Sequence, residues 1–310
     1  MESQEFNIKK ILVPINSAAF TENLQHNIIF WANKTKAEVI LLGVIDGPDL
    51  KPEEKRFDPS THDHIMFDGT EVLDTINQLN SCKTVLLGKG LPTVSYIIER
   101  GHIYKKIAAV ARRVEADAIM IDHKGKQDEG SKHIDVFKVI SEAPCPVISI
   151  KNHPSKDGIK NIFIPFQDKP HSRESIEYGI HLAEIYDATL NVLGISYDTS
   201  EEGVKKMQLE ADQIKHILEE RKVKNTTEVV EGNYDAQQID CSAKEYNADI
   251  VIVMADLDKR SVTEYIIGPV LEQLVNNSEI SLMTVRPRYN PHILESETEP
   301  ESSVKWKFWE

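Results

Sequence analysis

A histidine pair and an acidic turn are the residues of this chain whose types and spacing could do chemistry. His62 and His64 are separated by one residue, so an extended segment could present both imidazoles to Zn²⁺. No third ligand is fixed by the spacing, and a solvated polar insertion stays open as the alternative. The acidic turn begins at Asp122 after a short apolar run. Ligands of parallel sheets bind at such turns, beyond the carboxyl ends of the strands.

The acidic turn belongs to a strand-turn-helix-strand unit. The runs Ala118 to Ile121 and Val147 to Ile150 are typical of short buried strands. The helix between them has two alternative apolar faces, which are Ile134, Phe137 and Ile140, or Val136 and Val139. A comparable unit recurs from Ala248 to Arg286. Two such units predict a parallel sheet in each half of the chain.

A duplication is visible in the spacing of single residues. Four pairs of identical residues are each separated by 151 positions: Pro14 and Pro165, Ala32 and Ala183, Ala37 and Ala188, and Gly43 and Gly194. The same strand-helix-strand pattern surrounds both sets, which indicates a repeated domain. Alternating strands and helices demand a parallel sheet covered on both faces. The fold class predicted is therefore α/β, with two doubly wound, five-stranded parallel-sheet domains.

The predicted domain boundaries follow the shifts in composition. An N-terminal tail covers residues 1–8, the first domain 9–151 with a polar insertion at 47–68, and a linker 152–160. The second domain covers 161–286. The C-terminal tail at 287–310 is acidic, and it ends in Trp306, Phe308 and Trp309.

The two domains differ most after their second strands. In the second, Glu201 to Lys222 predicts one long amphipathic helix. In the first, the pattern predicts a short helix near Glu71 to Leu79. A hairpin follows, in which Thr84 to Gly88 and Val94 to Ile98 flank a turn.

Composition excludes several classes of function. The 310 residues carry a formal net charge of −14 and a pI near 5.3, which argues against a nucleic-acid surface. No apolar run is long enough to span a bilayer, so we expect no membrane partner and a cytoplasmic protein. We also expect no enzyme, because a Gly-x-Ser-x-Gly elbow is absent and Gly88-Lys89-Gly90 does not fit a phosphate loop.

Three motifs resemble the universal stress protein family. They are Lys-Ile-Leu-Val-Pro at 10–14, Ala-Asp at 116–117 and 248–249, and Ala-Pro-Cys-Pro-Val at 143–147. The duplication resembles the tandem members of that family. The resemblance implies an adenine nucleotide alpha hydrolase-like fold in each domain. It also implies that the last strands, Val147 to Ile150 and Leu282 to Val285, pair the domains as an internal pseudo-dimer, with a homodimer of chains possible.

Members of that family that bind ATP carry an acidic residue after the first strand and the turn motif Gly-x2-Gly-x9-Gly-Ser/Thr after the fourth. In the first domain the acidic position falls on Asn16, beside Ile15 and Val44, which would line a residual pocket. The first motif glycine falls on Asp122, and Gly125 is retained. An aspartate beside a triphosphate is repulsive, by about 1 to 4 kcal/mol at 4 Å.

The second domain departs from the motif in other ways. Its acidic position falls on Gln167, and Ala255 and Asp258 take the first two glycine positions. Gly268 fits the third, but Pro269 replaces the Ser or Thr and removes a backbone N–H donor. Both ATP motifs are therefore degenerate, and we expect no cofactor.

The sequence leaves three functional hypotheses. The first is a non-enzymatic stress-response protein with a regulatory or scaffold role, which binds other proteins or a small ligand other than ATP. The second is an adenine-nucleotide sensor that uses the residual pocket of the first domain. The third, least favoured, is a metal-dependent hydrolase built on His62 and His64.

Overall fold

The structure is a computed structural model that describes residues 7–15, 20–47, 69–123, 134–151, 158–167, 174–255, 257–259 and 265–286. Half one denotes residues up to 151, and half two those from 158 onward. The described elements of half one are β1 (Lys10–Ile15), α1 (Glu22–Thr35), β2 (Glu38–Ile45), α2 (Gly69–Gly88), β3 (Val94–Arg100), α3 (Ile103–Val114), β4 (Ala118–Asp122), α4 (Val136–Glu142) and β5 (Val147–Ile150).

Half two repeats this order and adds a small hairpin. Its described elements are β6 (Asn161–Phe166), α5 (Glu174–Tyr186), β7 (Thr189–Ser196), α6 (Glu201–Glu220), β8 (Asn225–Glu231), α7 (Ala236–Glu245), β9 (Ile250–Met254), β10 (Leu257–Lys259), β11 (Tyr265–Ile267), α8 (Pro269–Asn277) and β12 (Ser281–Val285). Strands β10 and β11 pair antiparallel in a sheet of their own.

The other strands form one ten-stranded sheet in the order β3-β2-β1-β4-β5-β12-β9-β6-β7-β8. Each half contributes five parallel strands, which confirms the predicted doubly wound fold. The halves meet at β5 and β12, which pair antiparallel with Leu282 opposite Ser149. The two sets of strands therefore run in opposite directions, and their carboxyl ends lie at opposite edges of the sheet.

The predicted hairpin in half one is wrong. The residues from Thr84 to Gly88 form the last turns of α2, and β3 pairs parallel with β2. Helix α2 buries Val72, Leu79, Cys82 and Leu86 at helical spacing. A short apolar run such as 84–88 fits either a helix or a strand by periodicity alone, and here the packing of α2 on the sheet decides.

The repeated glycines Gly43 and Gly194 allow the second helix of each half to lie close to the sheet. A Cβ atom at Gly43 would stand 2.6 Å from Cγ2 of Thr75 on α2. At Gly194 it would stand 2.8 Å from the ring of Phe166 and 3.1 Å from Sδ of Met207 on α6. The glycine found at the same position of both repeats is therefore a packing requirement.

The repeated Ala-Asp motif ties the start of the first strand to the fourth strand. Oδ2 of Asp117 accepts hydrogen bonds from the backbone N–H groups of Lys9 and Lys10, both at 2.8 Å. Oδ2 of Asp249 accepts from Lys160 at 2.7 Å and from Asn161 at 2.9 Å. The motif is therefore structural in both halves.

The hydrophobic core is divided by the faces of the sheet, and each layer continues through both halves. One layer lies under α1, α2, α5 and α6, and the other under α3, α4, α7 and α8. In the first layer Tyr186 of α5 stacks on Phe30 at 5.3 Å between ring centroids and meets Trp31 edge-on at 5.6 Å. These aromatic contacts join α1 of half one to α5 of half two.

Two cations cross between the halves beside the central strands. Lys151, which follows β5, donates through Nζ to the backbone carbonyl of Val275 in the last turn of α8. Arg286, which follows β12, donates to the carbonyl of Ala143 at the end of α4, at 2.9 Å. A positive charge at a helix C-terminus is favourable, so each half stabilises the last helix of the other.

In the described part of the chain, no helix combines the length and the apolar character needed to cross a membrane.

Candidate functional site

The carboxyl end of β4 places Asp122 against the start of α1. Its carboxylate accepts hydrogen bonds from the hydroxyl of Thr21 and from the side-chain amide of Asn23, the latter at 3.4 Å. Thr21 is the N-cap of α1, since its hydroxyl also accepts from the backbone N–H of Leu24 at 3.0 Å. Asp122 is therefore part of a polar network that closes the end of the strand.

Lys151 stands beside this network at the end of β5. Burial lowers the pKa of Lys151 to about 8, and the negative charge of Asp122 opposes that shift. The amide of Asn23 also donates to the backbone carbonyl of Lys151, at 3.3 Å. The network thus joins α1, β4 and β5 at the edge where the sequence predicts a ligand.

The N-terminus of α4 faces the same edge, and it is already capped by an acid. Asp135 accepts from the backbone N–H of Lys138 at 3.2 Å, and its carboxylate lies 3.3 Å from Nζ of that lysine. In half one both Asp122 and Asp135 therefore place negative charge where the family motif would hold a phosphate.

Two other predicted residues of half one, Ile15 and Val44, lie on opposite faces of the sheet. Ile15 is buried in the core layer under α1, whereas Val44 packs against the layer on the opposite face. Asn16 and Gly125 lie outside the described residues, as do His62 and His64. Elsewhere in the chain, the described residues contain no group of three or more His, Cys, Asp or Glu side chains placed to hold a metal ion.

Half two has a cavity of about 90 Å³ at the corresponding edge. It lies between the carboxyl ends of β6 and β9 and the first turns of α8. Its lining is Gln167, Tyr234, Val253, Met254, Gly268, Pro269, Val270, Leu271 and Leu274. The structure thus brings together Gln167 and Gly268, two residues that the family resemblance indicates.

Tyr234 and Met254 were not predicted from the sequence as site residues. Tyr234 follows β8, so it also lies beyond the carboxyl end of a parallel strand, and that position was the available signal. Met254 was missed because the alignment of the turn with the family motif placed the first motif glycine at Ala255, one residue later.

The strand register corrects that alignment. Ile11 pairs with Ala118 in half one, and its counterpart Ile162 pairs with Ile250 in half two. Asp122 is the fifth residue of β4, and Met254 is the fifth residue of β9. Met254, not Ala255, therefore occupies the position of the first motif glycine.

The backbone contacts of the next residue agree. The N–H of His123 donates to the carbonyl of Ile150 at 3.1 Å, and the N–H of Ala255 donates to the carbonyl of Val285 at 2.6 Å. Ala255 is thus the counterpart of His123, and its side chain is fully buried.

Helix α8 begins at the cavity. Gly268 is its N-cap, and no side chain of the described residues caps it there. Pro269 occupies the first helical position, where it has no N–H to offer. Most of the described residues that line the cavity have apolar side chains, and Gln167 and Tyr234 are the two with polar side chains.

Comparison with known proteins identifies the family. A sequence model of the Universal stress protein family matches residues 7–151 and again 158–286. The chain belongs to the universal stress protein family. It carries two copies of the domain in tandem, as the repeat predicts. No curated protein matches the chain.

Solved structures agree on the fold of the universal stress proteins. One from Archaeoglobus fulgidus DSM 4304 has a TM-score of 0.66 at 13% identity, and the alignment covers 91% of this chain and 97% of the other. A protein of unknown function from Pseudomonas aeruginosa PAO1 has 0.62 at 18%, with 90% and 93% covered. The cytoplasmic domain of a prokaryotic cation chloride cotransporter has 0.51 at 12%, with 92% and 99% covered. These likenesses concern the fold alone.

Proposed function

We propose that this chain is a non-enzymatic universal stress protein with a regulatory or scaffold role, which binds other proteins or a ligand other than ATP. The observation that carries the proposal is the side chain at the end of each fourth strand. Asp122 in half one and Met254 in half two share the register position where ATP-binding relatives have a glycine. A glycine there lets backbone N–H groups close on a phosphate, and either side chain stands in its way.

The helix that follows supports the same reading in both halves. In half one Asp135 already caps α4 with a carboxylate. In half two Pro269 removes one of the N–H groups that α8 would offer. The cavity of about 90 Å³ is also well below the 300–1,000 Å³ of typical small-molecule pockets.

The state of two cysteines, Cys82 and Cys145, is consistent with a non-enzymatic role. Burial raises the pKa of Cys82 to about 11 and that of Cys145 to about 12. Both thiols are therefore protonated at neutral pH and are poor nucleophiles.

The test is a thermal-shift titration of the whole chain with ATP, ADP and AMP in the presence of Mg²⁺, together with an assay of ATP hydrolysis. A ligand of the folded state raises the melting temperature by mass action, so the proposal expects no saturable shift at millimolar nucleotide and no hydrolysis. A Zn²⁺ titration of the wild type and of His62→Ala addresses the metal hypothesis in the same assay.

Two results would point elsewhere. A saturable nucleotide shift that is lost in Gly125→Glu would support the adenine-nucleotide sensor of half one. Steady release of phosphate from ATP by the wild type, but not by that variant, would refute the non-enzymatic role.

A further inference from the structure

The cavity of half two has no charged side chain among the described residues that line it. Five of its nine lining residues are aliphatic or Met, namely Val253, Met254, Val270, Leu271 and Leu274. Val253, Leu271 and Leu274 are fully buried and belong to the core, so this wall is fixed by packing on the sheet. A charged group placed against these aliphatic side chains would lose part of its hydration, and the described side chains that line the cavity offer it no opposite charge.

The polar groups of the cavity are uncharged as well. Gln167 stands where ATP-binding relatives have an acid, and its amide both donates and accepts hydrogen bonds. A carboxamide or a hydroxyl group matches the amide of Gln167, because each can donate and accept a hydrogen bond at once.

An anion is disfavoured by the neighbouring backbone. Pro269 has no N–H, and Met254, which lines the cavity, stands at the register position of the first motif glycine. The N-terminus of α8 therefore offers an anion one backbone donor fewer.

The volume limits the size of what enters. An engineered cavity of about 150 Å³ in another protein holds benzene, which has six non-hydrogen atoms. A cavity of about 90 Å³ has room for a group of about four to six such atoms when part of it stays at the mouth.

We propose that this cavity binds the uncharged end of a small molecule, a short aliphatic group that carries a carboxamide or a hydroxyl. The inference rests on the proposed function, since it names the class of ligand that half two takes in place of ATP. The aliphatic part lies against Val253, Leu271 and Leu274, and the polar part bonds to the amide of Gln167. Half one differs at this position, because Asp122 takes the place of Met254 and its carboxylate is bonded to Thr21.

The experiment uses isobutyramide and isobutyrate, two probes of the same shape that differ in charge. Binding of each to the whole chain is measured by saturation-transfer NMR and by thermal shift, up to about 50 mM, because six-atom ligands bind weakly. We expect isobutyramide to bind at least about tenfold more tightly than isobutyrate. In Gln167→Leu this preference should shrink.

A matched pair of variants locates the binding. Val270 lines the cavity, whereas Gln273 lies on the exposed side of the same helix. Val270→Phe should abolish the isobutyramide signal, and Gln273→Phe should leave it unchanged. The melting temperature and circular dichroism of both variants report that they are folded.

Three outcomes would overturn the inference. Isobutyrate binding as tightly as isobutyramide would make the cavity an anion site. Isobutyramide binding that survives Val270→Phe would place the ligand outside the cavity. If neither NMR nor thermal shift detected isobutyramide binding at about 50 mM, the cavity would not bind this class of ligand. The nucleotide titration is independent, so a failure here with no ATP binding overturns only this inference.

Discussion

Asp249 fixes the first residues of β6, so Asp249→Ala should destabilise the protein by about 2 to 4 kcal/mol. Its Oδ2 accepts two backbone hydrogen bonds, from Lys160 at 2.7 Å and from Asn161 at 2.9 Å. Hydrogen bonds to charged groups contribute about 1.5 to 3 kcal/mol each. Two such bonds sum to about 3 to 6 kcal/mol, and the expected loss is smaller than that sum because Lys160 is exposed and water can replace part of what is lost.

The measurement is equilibrium unfolding in urea, monitored by circular dichroism. The m values, which give the dependence of the unfolding free energy on urea concentration, are compared before any free energies are subtracted. Asp117→Ala is an internal repeat of the experiment, because Asp117 makes the same two bonds in half one, both at 2.8 Å. Asp74→Ala is the control: Asp74 is exposed on α2, and its replacement should change stability by less than about 0.5 kcal/mol. If Asp249→Ala cost no more than Asp74→Ala, the structural role assigned to the Ala-Asp motif would be wrong.

Two further predictions concern buried polar groups. Burial lowers the pKa of Lys151 from its ordinary 10.5 to about 8 in the folded protein. Between pH 8 and 10.5 the unfolded chain therefore binds more protons than the folded protein. The free energy of unfolding should rise with pH across that range. From pH 7.5 to 10, the free energy of unfolding of the wild type should rise by on the order of 1 kcal/mol more than that of Lys151→Met, a figure reduced for the partial exposure of the amine. If both proteins showed the same dependence of stability on pH, the assignment would be refuted. The hydroxyl of Tyr186 is buried without a hydrogen-bond partner among the described residues, and burial raises its pKa well above the usual range. Tyr186→Phe should therefore raise stability by up to about 1 kcal/mol in thermal unfolding while keeping the stacking on Phe30, and a clear loss of stability would contradict this.

The duplicated fold could be predicted from the sequence because its markers are local. Gly43 and Gly194 are repeated since the helices above them leave no room for a side chain. Asp117 and Asp249 are repeated since each anchors the start of a strand. Both requirements are visible as single residues at a fixed spacing, so one sequence reveals them.

The remainder depended on contacts between distant segments. The apolar residues from Thr84 to Gly88 fit a strand and the end of a helix equally well. Only the packing of α2 on β2 and β3 shows that they are helical. The equivalence of Met254 and Asp122 follows from the pairing of the strands. Counting residues along the turn instead assigned the position to Ala255, which is one residue too far. The cavity joins residues from four elements and loops, and no spacing in the sequence predicts its size.

The antiparallel meeting of β5 and β12 sets the distance over which the halves can communicate. Because the two sets of strands point in opposite directions, Asp122 and Met254 lie four residues apart along the strands, about 13 Å, with β5 and β12 between them. One small molecule cannot span them. Helix α8 connects them directly, since its first turn lines the cavity and its last turn receives Lys151, which stands beside Asp122. Helix α8 has nine residues and is about 13 Å long. Its first turn thus lies at the cavity of half two, and its last turn lies beside the polar network of half one. A displacement of α8 at the cavity would change the hydrogen bond of Lys151, beside the junction of the two halves.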